Sequence, residues 1–181
     1  MTDPATTISI RAVVAADLDA IQRIYAHHVL HGLASFEETP PDAAELTRRW
    51  QAIADVGLPY LAAIDNLSGA LVGYAYAGPY RPRSAYRFTV EDSVYVTPKA
   101  SGRGVGRALL RRLIDMSTSL GKRQMIAIIG DTGNEPSIRL HRACGFELVG
   151  TFGSIGFKHG RWVDTVLMQR PLGVGDQTLP G

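Results

Sequence analysis

Cysteine pairs, a signal-peptide pattern and long apolar runs are absent from this sequence. A single cysteine, Cys144, stands among 181 residues, so an internal disulfide is impossible and a reducing compartment such as the cytoplasm is favoured. The first residues, MTDPATTISIRAVV, contain no basic segment followed by a long apolar run, so we expect no signal peptide. No stretch approaches the roughly 18 apolar residues of a transmembrane helix, so we expect no membrane partner.

Charge and metal-ligand patterns exclude further classes. The formal net charge is only +2, and no basic patch interleaved with aromatic residues stands out, so we expect no nucleic-acid partner. His27 and His31 have the i, i+4 spacing of a metal-binding pair, but neither a third ligand nor an H-E-x-x-H context accompanies them. We therefore expect no metal site.

Hydrophobic periodicity predicts one domain over residues 1–172 and a flexible tail over 173–181. Alternating patterns predict strands, and patterns with a period near 3.6 predict helices. The predicted strands are 8–14, the hairpin on either side of NLSG, 86–96, 123–130, FELVGTF and RWVDTVLMQR, and the predicted helices are 15–30, 41–55, 106–121 and 134–145. Strands that first meander and then alternate with helices predict an α/β (α+β) fold, with a mixed central sheet flanked by helices on both faces.

A glycine-rich loop is the most informative local feature. Residues 94–106, VYVTPKASGRGVG, place three glycines between a predicted strand and a predicted helix. The first N–H groups of a helix lack intrahelical partners, and the helix dipole favours negative charge there. Glycines remove side chains that would hold a phosphate away, and Arg103 and Arg107 add positive charge. The loop therefore predicts a pyrophosphate site, with a plain strand-to-helix turn as the alternative.

Two familiar phosphate loops fit this segment poorly. A Walker loop needs Gly-Lys-Ser/Thr at the helix start, whereas this chain has Gly106, Arg107 and Ala108. A Rossmann fingerprint needs G-x-G-x-x-G in a parallel βαβ unit near the start of a sheet, whereas G-R-G-V-G follows a predicted hairpin. The run SGRGVG resembles instead the acetyl-CoA loop, [R/Q]-x-x-G-x-[G/A], of the GNAT superfamily of N-acetyltransferases.

The resemblance extends well beyond this loop. The segments YRPRSAYRFTVEDSVYV, GDTGNEPSIRLHRACGF and GFKHGRWVDTVLMQR resemble the phosphinothricin acetyltransferase group, which includes the methionine sulfone and methionine sulfoximine N-acetyltransferases. Four motifs in the family's order cover residues 8–172, and they imply the GNAT fold. Ser101 departs from the Arg or Gln of the family motif, so we expect acetyl-CoA to bind with altered affinity.

Acetyl-CoA is the co-substrate that this resemblance implies. Main-chain groups at the end of the central strand would bond the pantetheine arm, the glycine loop would hold the pyrophosphate, and the start of the later helix would add contacts. Asn134 also fits a simple helix N-cap, and the two roles are compatible. The residues carried over to acetyl-CoA binding are Val94, Tyr95, Val96, Gly102, Arg103, Gly104, Val105, Gly106, Arg107, Asn134 and Ser137.

Glu91 is the candidate general base. Acetyl transfer from a thioester to an amine needs a base, donors for the oxyanion and a proton for the thiolate. Regular alternation puts Glu91, Ser93 and Tyr95 on one face of a strand predicted to be central, where a carboxylate is costly unless used or paired. The resemblance also puts the base here, and a solvent-facing or salt-bridged glutamate is the alternative. The candidate oxyanion donor is the N–H of Val96 or of the residue next to it, which requires this strand to part from the adjacent strand.

His141 is the second catalytic candidate. It stands in IRLHRACGF, where many GNAT enzymes have a tyrosine that protonates the thiolate and where the phosphinothricin group has histidine. Proton donor, substrate contact and packing all remain open for it. Cys144 precedes Gly145 at a predicted helix end and is expected to pack, so we expect no covalent acyl-enzyme. His159 resembles a family loop near the active site, with a surface role as the alternative.

The resemblance implies an amino-acid acceptor with a second polar or anionic group, such as phosphinothricin, methionine sulfone or methionine sulfoximine. Direct attack by its α-amine would yield the acetyl product and with it resistance to such compounds. Arginine binds carboxylate and phosphinate groups through two parallel hydrogen bonds. Three arginines, Arg81, Arg83 and Arg87, precede Glu91 in the sequence. The substrate positions carried over are Phe36, Glu37, Arg81, Pro82, Arg83, Glu91, Asp92 and Ser93, with Tyr76, Tyr80 and Tyr86 as candidates for an aromatic wall.

Other functions remain open at this point. A protein N-terminus or a polyamine is an alternative acceptor, although a polyamine site needs several acidic residues and the substrate segments here carry arginine. A catalytically silent acyl-CoA-binding module is a further alternative, which the presence of Glu91 disfavours. The family is usually homodimeric, so we expect a homodimer, with the GSIGFKHGRW loop as a candidate to reach the partner's site.

Overall fold

One seven-stranded sheet organises residues 7–180, the part of the chain that the computed structural model describes. The strand order is β1-β2-β3-β4-β5-β7-β6, and only β4 and β5 pair in parallel. The mixed sheet predicted from the sequence is therefore confirmed. The strands are β1 Ile8–Ala12, β2 Tyr60–Asp65, β3 Leu71–Pro79, β4 Thr89–Val96, β5 Gln124–Gly130, β6 Glu147–Lys158 and β7 Arg161–Pro171; the helices are α1 Leu18–His31, α2 Ala43–Asp55, α3 Val105–Ser119 and α4 Glu135–Ala143.

Helices cover both faces of the sheet, as predicted, and each face has its own core. On one face α1 and α2 pack Ile21, Val29 and Leu46 against tyrosines of β2, β3 and β4. On the other, Leu109 and Leu113 of α3 are fully buried against the sheet because apolar residues recur at helical spacing. Burial of this kind contributes roughly 1.5–3 kcal/mol per large side chain, so the two cores hold the central strands in place. No helix within residues 7–180 has the length and apolarity to cross a bilayer.

Two elements begin later than their sequence patterns predict. The strand predicted from residue 86 begins at Thr89, because Ser84–Tyr86 forms a 3-10 turn in which the Tyr86 N–H donates to the Arg83 carbonyl (3.0 Å). The first helix begins at Leu18 after a 3-10 turn. Asp17 occupies the predicted N-cap position, but its carboxylate accepts from the Val14 N–H (2.9 Å) instead of a helix N–H.

The C-terminal hairpin is longer than predicted. β6 continues past the FELVGTF segment to Lys158, and it follows β7 through two register shifts, at Leu148/Gly150 and at Phe152/Gly156. These irregularities interrupt the alternation of apolar residues, which is why the sequence pattern ends early. Beyond β7, Leu172 is buried and the Arg123 guanidinium donates to the Gly175 carbonyl (3.2 Å).

Candidate active site

The site is built where two parallel strands separate. β4 and β5 pair from Thr89 opposite Gln124 to Asp92 opposite Ala127, and their pairing ends there. β4 nevertheless continues to Val96 on β3, and β5 continues to Gly130 on β7. The strands therefore part over their last residues, which is the opening that an oxyanion donor on β4 requires.

Main-chain groups of β4 face this opening. The Thr97 N–H donates to the Val72 carbonyl (2.9 Å), and in an antiparallel pair every second residue bonds its partner. The main-chain groups of Val94 and Val96 therefore turn away from β3 and toward the gap. The Val96 carbonyl accepts a hydrogen bond from Nε2 of His28 on α1 (3.0 Å), which leaves the Val96 N–H to face the opening. Burial lowers the pKa of His28 and therefore favours the neutral ring, in which Nε2 carries the proton that it donates to Val96.

A groove of about 720 Å³ runs from this opening along the glycine loop. Gly102 and Gly104 have φ of 76° and 79°, a left-handed conformation that glycine adopts without strain, and α3 begins immediately after them. Arg103 is turned out of the groove, because its guanidinium pairs with Asp65 (2.8 Å). The groove is lined by residues that include His28, His31, Val96, Ser101, Gly102, Gly104, Val105, Gly106, Arg107 and Arg139.

A second, smaller cavity of about 380 Å³, the inner pocket, opens at the other side of the strand separation. The groove and the inner pocket share lining residues and therefore meet. Gly130 lies at this junction, and a Cβ there would come within 2.0 Å of the Leu33 carbonyl oxygen, so only glycine permits the close approach of the α1–α2 loop. The shared residues are Ala34, Val94, Gly130, Asn134 and Ser137, and the inner pocket adds Ser35, Phe36, Glu37, Tyr76, Glu91, Asp92, Ser93, Tyr95 and His141.

Glu91 lines the inner pocket from β4 and is partly buried. Burial raises the pKa of its carboxyl, the neighbouring Asp92 raises it further, and Arg81 opposes both effects. A raised pKa brings a carboxylate closer to the range in which it can accept a proton from an amine. Glu91 is thus a partly buried carboxylate in the inner pocket with a raised pKa.

Asp92 points to the opposite face of β4 and forms a buried pair with His141 of α4. The His141 Nε2 lies 3.0 Å from Asp92 Oδ2, and the Nδ1 lies 2.8 Å from the Ser137 carbonyl. Burial disfavours the charged ring, but the bond and charge of Asp92 outweigh burial and raise the pKa of His141. Among the described residues, Asp92 Oδ1 is buried without a hydrogen-bond partner.

The loop that covers the inner pocket is held from three sides. The Tyr25 hydroxyl donates to Glu37 Oε1 (2.8 Å), and the Arg49 guanidinium pairs with the same carboxylate (2.6 Å). Lys158 is almost fully buried, and its Nζ donates to the Ser35 carbonyl (2.6 Å). Burial lowers the pKa of Lys158, while the nearby acidic residues oppose the change. These contacts fix Phe36 and Glu37 at the pocket.

The structure brings some predicted site residues together and leaves others apart. Glu91, Ser93 and His141 converge on the inner pocket, as do Phe36 and Glu37, and the glycine loop with Arg107, Asn134 and Ser137 forms the groove. Tyr76 lines the pocket, whereas Tyr80 and Tyr86 pair with each other at 5.6 Å between ring centroids. The segment Arg81, Pro82 and Arg83 lies in an exposed loop outside both cavities, and His159 lies exposed in the β6–β7 turn.

Three residues of the site escaped prediction: His28, Tyr25 and Lys158. His28 gave a signal, since it lies on the apolar stripe of the first predicted helix, yet nothing in the sequence connects it to Val96. Lys158 follows an alternating run, which on its own predicts an exposed lysine. Within residues 7–180, no three or more His, Cys, Asp and Glu side chains are grouped so that they could hold a metal ion.

A long groove beside a glycine-rich helix start, joined at separated parallel strands to a small polar pocket, is the arrangement expected of an enzyme that brings two substrates together. Residues 10–167 match the family model described as acetyltransferase (GNAT) domain. The chain belongs to the GNAT family of acetyltransferases, and the predicted fold and enzyme class are confirmed.

Individual relatives refine this assignment. The chain is 58% identical over 172 residues to a phosphinothricin N-acetyltransferase of Alcaligenes faecalis, covering 95% of this chain and 86% of that protein. It is 40% identical to an L-methionine sulfoximine/L-methionine sulfone acetyltransferase of Salmonella typhimurium, covering 91% and 95%. The crystal structure of a phosphinothricin acetyltransferase from Sinorhizobium meliloti in complex with acetyl-CoA superposes with a TM-score of 0.93 at 53% identity, covering 97% and 94%.

Proposed function

We propose that this enzyme transfers the acetyl group of acetyl-CoA to the α-amine of a small amino-acid-like acceptor, of the phosphinothricin or methionine sulfoximine type. The observation that carries the proposal is the junction of the groove with an inner pocket of about 380 Å³ that holds Glu91. A pocket of this size suits one amino acid, whereas a peptide acceptor needs an open groove. The relatives named for such acceptors support the same assignment.

Acetyl-CoA would occupy the groove. The pyrophosphate would bind the N–H groups at the start of α3, with Arg107 beside them, and the pantetheine arm would bond the main chain of Val94. Asn134 accepts from the Ser137 N–H (3.3 Å), and its amide nitrogen donates to the Gly130 carbonyl (3.5 Å), so one amide N–H remains to contact the donor. Arg103 would act indirectly, by tying the loop to Asp65.

The acceptor would enter the inner pocket with its amine toward Glu91. The carboxylate of Glu91 takes a proton from the ammonium group, the neutral amine attacks the thioester carbonyl, and the Val96 N–H stabilises the oxyanion. Arg81 is close enough to influence the pKa of Glu91, so it would attract the acceptor's carboxylate or phosphinate. Ser93 would complete acceptor binding, with Phe36 and Glu37 as the opposite wall.

Cys144 supports direct transfer without an acyl-enzyme. The residue is 4% exposed at the end of α4, and burial raises the pKa of its thiol, so the nucleophilic thiolate is disfavoured. Cys144 is also the only cysteine of the chain, which suits a protein of the reducing cytoplasm, where we place this enzyme.

The release of CoA thiol from acetyl-CoA tests the proposed function. The acceptors would be phosphinothricin, methionine sulfone, methionine sulfoximine, the common amino acids, a peptide with a free N-terminus and spermidine. We expect turnover on the first three. Turnover only on the peptide or on spermidine would replace the acceptor class, and binding of acetyl-CoA without turnover on any amine would instead support a silent acyl-CoA-binding module.

A homodimer through the β6–β7 hairpin is the assembly that we propose. Large apolar side chains are exposed along this hairpin, and we propose that they form the apolar patch of an interface. Trp162 and Phe157 are 64% and 58% exposed and contact each other edge to face, with ring centroids 5.3 Å apart. The patch consists of Leu148, Val149, Phe152, Ile155, Phe157 and Trp162.

Replacing Trp162 by glutamate is expected to convert the dimer to a monomer, because a charge would then have to be buried at the interface. Sedimentation velocity measures the change directly. Leu67→Glu is the matched control, since Leu67 is 85% exposed in the β2–β3 turn, far from the hairpin in the fold, and its substitution should leave the dimer intact. A wild-type protein that sediments as a monomer at micromolar concentration would refute the proposed assembly.

A further inference from the structure

We propose that the Ser137 hydroxyl delivers the proton that the departing CoA thiolate needs, and that the buried Asp92–His141 pair supplies this proton. The inference rests on the proposed function, because it concerns the leaving group of the same reaction. It assigns chemistry to Ser137, and it makes Asp92 a positioning residue for His141 instead of a ligand of the acceptor.

Ser137 lies at the junction of the groove and the inner pocket. It is among the few residues that line both the groove and the inner pocket, so it stands at the point where donor and acceptor meet. Its N–H is held by Asn134, the N-cap of α4, which fixes the residue in the first turn. Its Oγ lies 3.4 Å from His141 Nδ1, at the long end of hydrogen-bond distance.

From the bonding of His141 we infer that the pair holds an extra proton. A carbonyl oxygen only accepts, so Nδ1 must carry a proton for its 2.8 Å bond to the Ser137 carbonyl. The Nε2–Asp92 bond therefore needs a second proton, because neither a lone pair on Nε2 nor a carboxylate can donate. We assign this proton to the ring, as an imidazolium beside an ionised Asp92.

Neither ring nitrogen of His141 is available to the sulfur directly. The ring is 4% exposed, and each nitrogen is already bonded to a protein group. Of the residues that bond the ring, Ser137 is the one that lines both the groove and the inner pocket. A proton stored on His141 therefore reaches the groove through Ser137.

Other charged and titratable groups surround the pair. Glu91 adjoins Asp92 on β4, and Cys144 is the C-cap residue of α4. Three arginines, Arg107 and Arg111 of α3 and Arg170 of β7, influence Cys144, and Phe146 contacts the ring edge to face. Of these charged neighbours, Asp92 is the one that bonds the imidazole, and it raises the pKa of His141.

Proton transfer to sulfur accompanies the breaking of the C–S bond. When the C–S bond of the tetrahedral intermediate breaks, its electron pair goes to sulfur, and the Ser137 O–H proton passes to that sulfur. The Ser137 oxygen regains a proton from His141 Nδ1, which leaves a neutral imidazole with its Nε2 proton toward Asp92. Of the two protons that leave the acceptor nitrogen, one restores His141 through water and the other is released from Glu91 to solvent.

Replacing Ser137 by threonine and by valine tests the hydroxyl. The two side chains have nearly the same shape, and only threonine keeps the O–H. We expect Ser137→Thr to keep kcat within a few-fold and Ser137→Val to lower kcat by about 10²-fold, with the two variants binding acetyl-CoA equally well. Equal kcat values for the two variants, or a loss confined to acetyl-CoA affinity, would overturn the proposal.

Asp92→Asn tests the proton store in the resting enzyme. The amide can donate to Nε2, so the geometry is kept while His141 becomes neutral. In ¹⁵N-labelled protein at pH 7, we expect both His141 nitrogens to be protonated in the wild type and only Nδ1 in the variant. We also expect kcat of the variant to fall at lower pH than kcat of the wild type. A neutral His141 in the wild type at pH 7 would refute the proton store. The spectrum is recorded without an acceptor, so this result does not depend on the outcome of the acceptor panel that tests the proposed function.

Discussion

Replacing Glu91 by glutamine is expected to lower kcat for an oxidised methionine analogue or phosphinothricin by roughly 10²–10⁴-fold. The amide keeps the shape of the side chain but cannot take a proton from the acceptor's ammonium group. Because Glu91 lies in the inner pocket and outside the groove, the Kd for acetyl-CoA should stay unchanged. Steady-state kinetics and calorimetric binding of acetyl-CoA together measure both quantities.

The pH profile separates a base from a residue that merely binds the acceptor. A base must be ionised, so the activity of the wild type should rise with pH through the pKa of Glu91, which burial raises above its ordinary value. This rising limb should be absent in Glu91→Gln and present in Glu91→Asp, which keeps a carboxylate on a shorter stem. If Glu91→Gln retained kcat within a few-fold and changed only KM, the catalytic assignment would be wrong.

Much of the fold could be predicted because it follows from local pattern. The apolar periodicity of α3 and the alternation of β2 and β3 are strong signals, and their order along the chain defines a mixed sheet. The start of β4 could not be predicted, because a 3-10 turn at Ser84–Tyr86 uses residues that are equally compatible with a strand. The end of β6 could not be predicted either, since register shifts break the alternation.

The glycine loop and Glu91 could be proposed from the sequence because each has a local signature. The pairs that complete the site have none, because their partners are distant along the chain. His28 and Val96 are 68 residues apart, Asp92 and His141 are 49 apart, and Lys158 and Ser35 are 123 apart. Only the packing of helices and hairpin against the sheet brings such groups together, and a single sequence does not record which polar residues meet.

The buried Asp92–His141 pair leads to the largest expected change in stability. His141→Ala should lower the free energy of unfolding by about 3–5 kcal/mol near pH 6, because it leaves the Asp92 carboxylate buried without a partner. The folded-state pKa of His141 is raised, so its contribution is full below the unfolded value of about 6.5 and is lost as pH rises through the raised pKa. The gap between wild type and variant should therefore narrow at alkaline pH.

Two further variants show whether the uncompensated charge is the cause. His141→Gln keeps an N–H that can donate to Asp92, and Asp92→Asn combined with His141→Ala replaces the charge with a neutral amide. Both should therefore unfold at higher urea concentration than His141→Ala at pH 6. If the double variant were as unstable as His141→Ala, the loss would come from the cavity beside Phe146, which the ring contacts at 5.0 Å between centroids, and the ion pair would contribute little.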